Sequence, residues 1–204
     1  MATNKVELEA KFWINSLDKL EERLKTLGAE LVQERTFELN LRFDTPDRRL
    51  SAAGQVLRLR RDKVDRLTFK DPGDPNSAVS ARNEIEVEVG DIQATREILE
   101  ALGFHVSIIY EKYRAAYLLD NVEVSLDEMP FGFFSEIEGP DEKSIRQTAE
   151  RLGLNWEARS RLSYLAIFFS LKEKHQLEMS DITFEGFKGQ SVPLRSIGLE
   201  QAGF

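Results

Sequence analysis

The chain has no cysteine and only two histidines, His105 and His175. Without thiols there is no disulfide framework and no thiolate metal site, and two histidines are too few for a histidine-rich centre. No apolar run approaches the ~18 residues of a membrane-spanning helix. The opening residues, from Met1 to Glu7, hold no apolar signal-peptide core. The expectation is a cytoplasmic protein with no membrane partner. An excess of positive charge is also lacking: 28 Lys and Arg stand against 36 Asp and Glu, a formal −8. General nucleic-acid binding is therefore not expected. Any polyanion the chain binds must be met by locally arranged cations. At 204 residues, with 41% of them hydrophobic, the chain can bury one sizeable core but not comfortably two.

What the chain does have is ionic residues in strict alternation. Glu7, Glu9 and Lys11 alternate with Leu8, Ala10 and Phe12. Arg58 and Arg60 alternate with Leu57 and Leu59, and Arg66, Thr68 and Lys70 with Leu67 and Phe69. Arg82, Glu84, Glu86 and Glu88 oppose Ile85, Val87 and Val89. Lys112 and Arg114 oppose Tyr113 and Ala115, Ser125 and Asp127 oppose Val124 and Leu126, and Glu136 and Glu138 flank Ile137. A period of two marks strands. Turn signals stand at Thr45-Pro46-Asp47, at Asp71-Pro72-Gly73-Asp74-Pro75 and from Pro130 to Gly132. Three helices are legible between strands. Ser16, Asp91 and Asp141 open them, and Gly28, Gly103 and Gly153 stop them. A fourth apolar stretch, residues 162–171, reads as a helix with no clear stop. Residues 172–204 read as a C-terminal extension that lies on the domain or is partly disordered.

For any one strand, a charged face is ordinarily the solvated one. Taken together, these faces favour the opposite arrangement. They are almost entirely full ionic groups, some strands mostly acidic and others wholly basic. About eight strands close into a barrel whose interior holds side chains or one small ligand. With helices outside, the apolar faces point out to them and the charges point in. Glu7, Glu9, Glu84, Glu86, Asp127, Glu136 and Glu138 then balance Lys11, Arg58, Arg60, Lys70, Arg82, Lys112 and Arg114. Paired Glu-x-Glu carboxylates suit a hard cation such as Mg²⁺ or Mn²⁺, and rows of Arg and Lys suit a chain of phosphates. The fold expected is α+β: a closed eight-stranded antiparallel β-barrel with helices packed outside.

These residues resemble the CYTH superfamily, also called triphosphate tunnel metalloenzymes. Glu7-x-Glu9-x-Lys11 is similar to its ExExK signature. Leu57-Arg58-Leu59-Arg60, Thr68-Phe69-Lys70, Arg82-x-Glu84-x-Glu86, Lys112-Tyr113-Arg114, Leu126-Asp127-Glu128 and Phe134-Ser135-Glu136-Ile137-Glu138-Gly139 follow in the family's order, and Ser163-Tyr164-Leu165 resembles a segment near the end of the domain. The domain is placed at residues 1–171 and the extension at 172–204. The resemblance implies that Glu7, Glu9, Asp127, Glu136 and Glu138 hold metal or metal-bound water. It implies that Lys11, Arg58, Arg60, Lys70, Arg82, Lys112 and Arg114 bind phosphate, and that Glu84 and Glu86 support the tunnel or a second metal. Glu9, Lys11 and Asp127 are the catalytic candidates. The chain departs from the family at Asn40 and Arg42, where many members carry Asp or Gln and then Tyr. It also lacks the His-Phe pair often found upstream of ExExK in the adenylate cyclase branch.

Three activities are compatible with this reading: hydrolysis of an inorganic or nucleoside triphosphate, cyclisation of ATP to cyclic AMP and pyrophosphate, and non-catalytic binding of polyphosphate or nucleotide. The partner expected is a small triphosphate, with room for a homodimer. His105, Phe131, Phe133, Phe134, Phe168 and Phe169 read as structural residues.

Overall fold

The computed structural model describes residues 3–73 and 79–204. Strands β1 (Thr3–Ile14), β2 (Glu30–Asp44), β3 (Val56–Arg61), β4 (Asp65–Lys70), β5 (Ser80–Glu88), β6 (His105–Leu119), β7 (Val122–Met129) and β8 (Gly132–Glu138) form one antiparallel sheet. Its order is β5-β4-β3-β2-β6-β7-β8-β1, and pairing of β1 with β5 closes it into a ring. Closure follows from a long β1. Its first half pairs with β5 and its second with β8. A two-residue strand, β9 (Arg159–Ser160), takes up the side of β1 that β5 leaves at Glu9. This is the expected α+β architecture, an eight-stranded ring with helices outside. Of the turn signal at Asp71–Pro75, Asp74 and Pro75 lie outside the described residues.

The helices lie where local chemistry sets them. In α1 (Leu17–Thr26), α3 (Ile92–Ala101) and α4 (Glu142–Leu152), the side chains of Ser16, Asp91 and Asp141 accept first-turn N–H groups. Gly28, Gly103 and Gly153 follow at φ between 78° and 91°, a left-handed conformation that costs glycine nothing. The fourth helix, α5 (Tyr164–His175), starts at a Ser163 cap and runs past residue 171 to Gln176 at φ 53°. A single short turn, α2 (Arg49–Ala52), was not expected from the sequence. It forms because the Asp44 carboxylate accepts the N–H groups of Thr45, Leu50 and Ser51.

Apolar strand faces point outward onto these helices. Ala10, Phe12, Val124, Leu126 and Ile137 pack on Leu20 and Leu24 of α1 and Ile145, Ala149 and Leu152 of α4. Leu41, Phe43 and Leu59 pack on Ile92 and Leu99 of α3. Ile108 and Tyr110 of β6 and Phe134 of β8 stand instead on the lumen side of their strands, and with Phe131 they pack on α5 across one end of the ring. The tail covers this last cluster with Ile182, Phe187, Leu194 and Leu199, and bridges Tyr110 and Trp13 through Ile182 and Gln201. Residues 172–204 therefore lie on the barrel. Phe131, Phe134 and Phe168 are core residues, while Phe133 and Phe169 are exposed.

Gly132 ties strand to tail. Its φ is +154°, and a Cβ there would stand 2.9 Å from Leu194 Cδ1. Gly132→Ala is expected to cost about 1–3 kcal/mol, from the strain of an L side chain at this φ and the displacement of Leu194, and to expose the tail first. Denaturant unfolding gives the loss, and limited proteolysis should cut near residues 190–200 before the barrel.

Candidate active site

The ring encloses a cavity of about 540 Å³. Because alternate residues of every strand face it, the charged faces meet inside. Glu7, Glu9, Lys11, Arg58, Arg60, Lys70, Arg82, Glu84, Glu86, Lys112, Arg114, Glu136 and Glu138 all line it. Asp127 does not. It lies on the same strand face, but fully buried beyond the cavity's inner end.

Strand order sorts the charges onto opposite walls. Adjacent β2, β3 and β4 present Arg42, Arg58, Arg60, Arg66 and Lys70, with Glu38 as the one acidic residue among them. Adjacent β7, β8 and β1 present Glu123, Glu136, Glu138, Glu7 and Glu9, with Lys11 as the one basic residue among them. Register lines the acidic residues up: Glu123 stands opposite Glu138, which stands opposite Glu9. Between the walls, β5 is mixed and β6 supplies Lys112 and Arg114.

Most of the cations are braced. Lys70 bonds Glu7 and lies 3.2 Å from Glu84. Arg58 donates to Tyr110 Oη at 3.3 Å, while Thr68 Oγ1 donates to Glu86 at 2.8 Å. Arg60 and Arg66 share Glu86 and Asp62. Glu84 and Glu86, expected to support the tunnel or a second metal, are thus engaged with basic side chains. The bracing is incomplete. The buried Nε groups of Arg42 and Arg58 have no hydrogen-bond partner, and Arg60 Nε, 3.2 Å from Asp62, lacks hydrogen-bond geometry. Both side-chain polar atoms of the fully buried Asn40 are also unpaired.

The inner end is closed by the start of α5. Tyr164 Oη donates to Asp127 at 2.7 Å, and its ring lies 4.4 Å from Lys11 Nζ. Asp127 also accepts from Lys112 at 3.1 Å and from Arg114 Nε at 2.6 Å. Arg114 reaches on to Glu136, which lies 2.9 Å from Lys11. Burial alone would raise the Glu136 carboxyl, but Lys11 and Arg114 hold it well below the usual range. Burial raises the Tyr164 phenol, and the Asp127 and Glu136 carboxylates raise it further. It stays a neutral donor.

Glu9 behaves differently. Burial, followed by repulsion from Glu136, pushes it up to about 7, with Lys11 offsetting only part. A crowded carboxylate facing Glu138 is a place where a divalent cation relieves electrostatic cost. The donors are hard oxygens. Among the described residues no three acidic or histidine side chains are gathered as a ready cage. A hard cation held by one or two of these carboxylates would need water or phosphate oxygens to complete its shell.

Gln33, Glu38, Arg42, Tyr110, Glu123 and Arg161 also line the cavity and were missed as site residues. For Glu38 and Arg42 a signal existed, since Glu38, Asn40 and Arg42 alternate with Leu39, Leu41 and Phe43. Glu123 shares the strand face of Ser125.

The CYTH domain family model matches residues 5–184. A Methanocaldococcus jannaschii protein, provisionally named as an adenylate cyclase, is 31% identical over 148 residues, 72% of this chain and 81% of that protein. The PH1012 protein of Pyrococcus horikoshii has a similar structure, with a TM-score of 0.68 at 27% identity, over 78% of this chain and 97% of that one. HpAC1 of Hippeastrum, an adenylyl cyclase homologue described as having a dominant triphosphatase activity, matches with a TM-score of 0.62 at 21% identity. That match covers 80% of this chain and 95% of that one.

Proposed function

The chain belongs to the CYTH domain family, and from that premise we propose that it hydrolyses a triphosphate drawn along its charged tunnel, with a divalent cation, Mg²⁺ or Mn²⁺, as cofactor. The observation that carries this reading is the set of buried guanidinium donors left without partners on the basic wall. A buried donor without a partner costs about 1–3 kcal/mol, and a phosphate oxygen satisfies it with a charge-assisted bond.

The roles divide by wall. Arg58, Arg60, Lys70, Arg82 and Lys11 bind phosphate oxygens and neutralise charge that develops as the bridging P–O bond lengthens. Glu9 and Glu138, with Glu7 and Glu136 beside them, would hold the cation. When bound, it supplies Lewis-acid neutralisation of the phosphates. Glu9 is also placed to orient the attacking water, as a carboxylate of the acidic wall inside the cavity. Asp127 has no access to the cavity. It accepts from Lys112 and Arg114 and so sets their positions, in place of the catalytic and metal-holding role the resemblance implied. One water is consumed, one P–O–P bridge breaks, and tripolyphosphate yields pyrophosphate and phosphate.

Adenylate cyclase is the second reading, favoured by the name of the Methanocaldococcus relative. One assay separates the two. Purified protein with Mg²⁺ or Mn²⁺ is given tripolyphosphate or ATP, and phosphate, pyrophosphate and cyclic AMP are resolved. Phosphate release is expected, and cyclic AMP as the main product would overturn the hydrolase reading.

Arg60→Ala tests the basic wall. A charge-assisted contact is worth about 1.5–3 kcal/mol, so a loss of at least about tenfold in kcat/KM is expected. Tripolyphosphate should also raise the Tm of wild type, by the equivalent of about 2.7 kcal/mol at a hundredfold excess over Kd, and raise that of Arg60→Ala less. Equal shifts in both would remove Arg60 from the site.

A further inference from the structure

Arg42 is a cation of the tunnel that the sequence motifs do not claim. It stands two residues before the end of β2, directly opposite Arg58 of β3. Arg58 and Arg82 are each the third residue of their strands. The end of β2 and the starts of β3 and β5 share one end of the ring, the end at which Tyr110 packs on α5, so three guanidinium groups gather there. All three line the cavity. Among the described residues Arg42 has no hydrogen bond or ion pair from its side chain, and its Nε is buried without a partner. The nearby Asp44 does not hydrogen-bond to it, because the Asp44 oxygens accept the N–H groups of Thr45, Leu50 and Ser51 and the Ser51 hydroxyl. Burial weakens the Arg42 charge; attraction by Tyr110 and Asp44 offsets part of this, and repulsion from Arg58 and Arg82 adds to it. An unpaired guanidinium set against two others lowers the stability of an empty tunnel, and an anion of high charge density reverses that.

We infer that Arg42 is a specificity-determining contact for a terminal phosphate, completing with Arg58 and Arg82 a three-guanidinium subsite at that end of the tunnel. This rests on the triphosphate reading above and goes beyond it, because it assigns a residue outside the family motifs and a basis for selection. A linear polyphosphate end carries more charge than a phosphate inside a chain or ring. The subsite should therefore prefer tripolyphosphate to cyclic trimetaphosphate, which has three phosphates and no terminus.

The test uses wild type, Arg42→Gln and Arg42→Lys, each as the full chain. Three quantities are read: Tm without ligand, Kd for tripolyphosphate by calorimetry, and the thermal shift given by trimetaphosphate at fixed concentration. Arg42→Gln is expected to weaken tripolyphosphate at least about tenfold, to change the trimetaphosphate shift little, and to raise the ligand-free Tm by a few degrees. Arg42→Lys should recover most of the affinity, since it restores the charge. The rise in Tm separates this role from a structural one, which would lower it. An unchanged Kd in Arg42→Gln, an equal loss for both anions, or a lowered Tm would overturn the assignment of Arg42 while leaving the triphosphate reading in place. No response of wild type to tripolyphosphate would instead remove the reading on which it rests.

Discussion

Replacing Glu9 with Gln is expected to stop turnover and, at the same time, to stabilise the metal-free protein at neutral and alkaline pH. The two effects have one origin. Glu9 is a carboxyl placed in a buried lumen opposite Glu138 and near Glu136. Its folded value, about 7 against 4.5 for an unburied glutamate, means that the native state holds a proton which the unfolded chain has lost. Stability attributable to this group is highest below pH 4.5 and falls as pH rises through 4.5 to about 7, staying low above that. The full span is on the order of 3 kcal/mol. Glu9→Gln removes the titration. Its Tm at pH 8 should exceed that of wild type by roughly 6–12 °C, taking 2–4 °C per kcal/mol for a chain of this size, and the two should converge near pH 4.5. Turnover should fall at least about a hundredfold, since both the cation site and the water-orienting carboxylate are lost. Glu138→Gln should likewise stop turnover, and chelation with EDTA should do so reversibly, with activity restored by Mg²⁺ or Mn²⁺. Melting curves from pH 4.5 to 9 in EDTA check the first claim, and kcat at saturating metal the second. A Glu9→Gln variant that melts below wild type at pH 8, or turns over normally, would contradict this account of Glu9.

The alternation that produces this site is a local property, which is why so much of it can be read from sequence. Glu7, Glu9 and Lys11 share a face whatever β1 pairs with. Arg58 and Arg60, or Glu136 and Glu138, do the same on their strands. Once the solvated alternative is set aside, closure of eight such strands can only gather these faces inside. The capped helices are equally local: Ser16, Asp91 and Asp141 lie within four residues of the N–H groups they accept. What could not be read is depth along the tunnel. Glu136 and Asp127 look alike in sequence, each an acidic residue on an inward face. Yet one lines the cavity, and the other is sealed under Tyr164 by a helix that begins 37 residues later. That difference depends on strand stagger and on where α5 docks, both non-local. The same holds for β2. Its pairing with β6 is interrupted by irregularities at Leu31, Gln33 and Arg42, so a two-residue rhythm along its full length does not reveal which residues reach the lumen. The tail offered no periodic signal at all. It is held by scattered aromatic and aliphatic anchors such as Ile182, Phe187 and Leu194 in a surface made by α5 and β6.

Asp127 carries the largest stability effect expected of any site residue, and it shows why depth matters to mechanism. The carboxylate is fully buried and accepts bonds from Tyr164, Lys112 and Arg114. Lys112 keeps a second carboxylate, Glu38, at 3.6 Å, and Arg114 keeps Glu136. In Asp127→Ala one negative charge disappears from among two buried cations, and the Tyr164 hydroxyl loses its acceptor. Breaking a buried pair from one side costs about 3–5 kcal/mol, so Tm should fall by roughly 6–20 °C. Asp127→Asn keeps an acceptor for Tyr164 but turns an amide N–H toward groups that only donate, so it should be nearly as harmful. A carboxylate that orients the reacting water would behave in the opposite way: Asn would leave Tm almost unchanged and remove at least about a hundredfold of kcat. The geometry predicts a large fall in Tm, and a kcat that stays within about tenfold of wild type when assayed well below the lowered Tm, because Glu9 and the basic wall remain. Melting and kcat for Asp127→Asn, set beside Glu9→Gln, therefore tell a positioning carboxylate from a catalytic one. Normal Tm with abolished turnover would return Asp127 to the catalytic set and mean that the inner end of the tunnel opens to substrate.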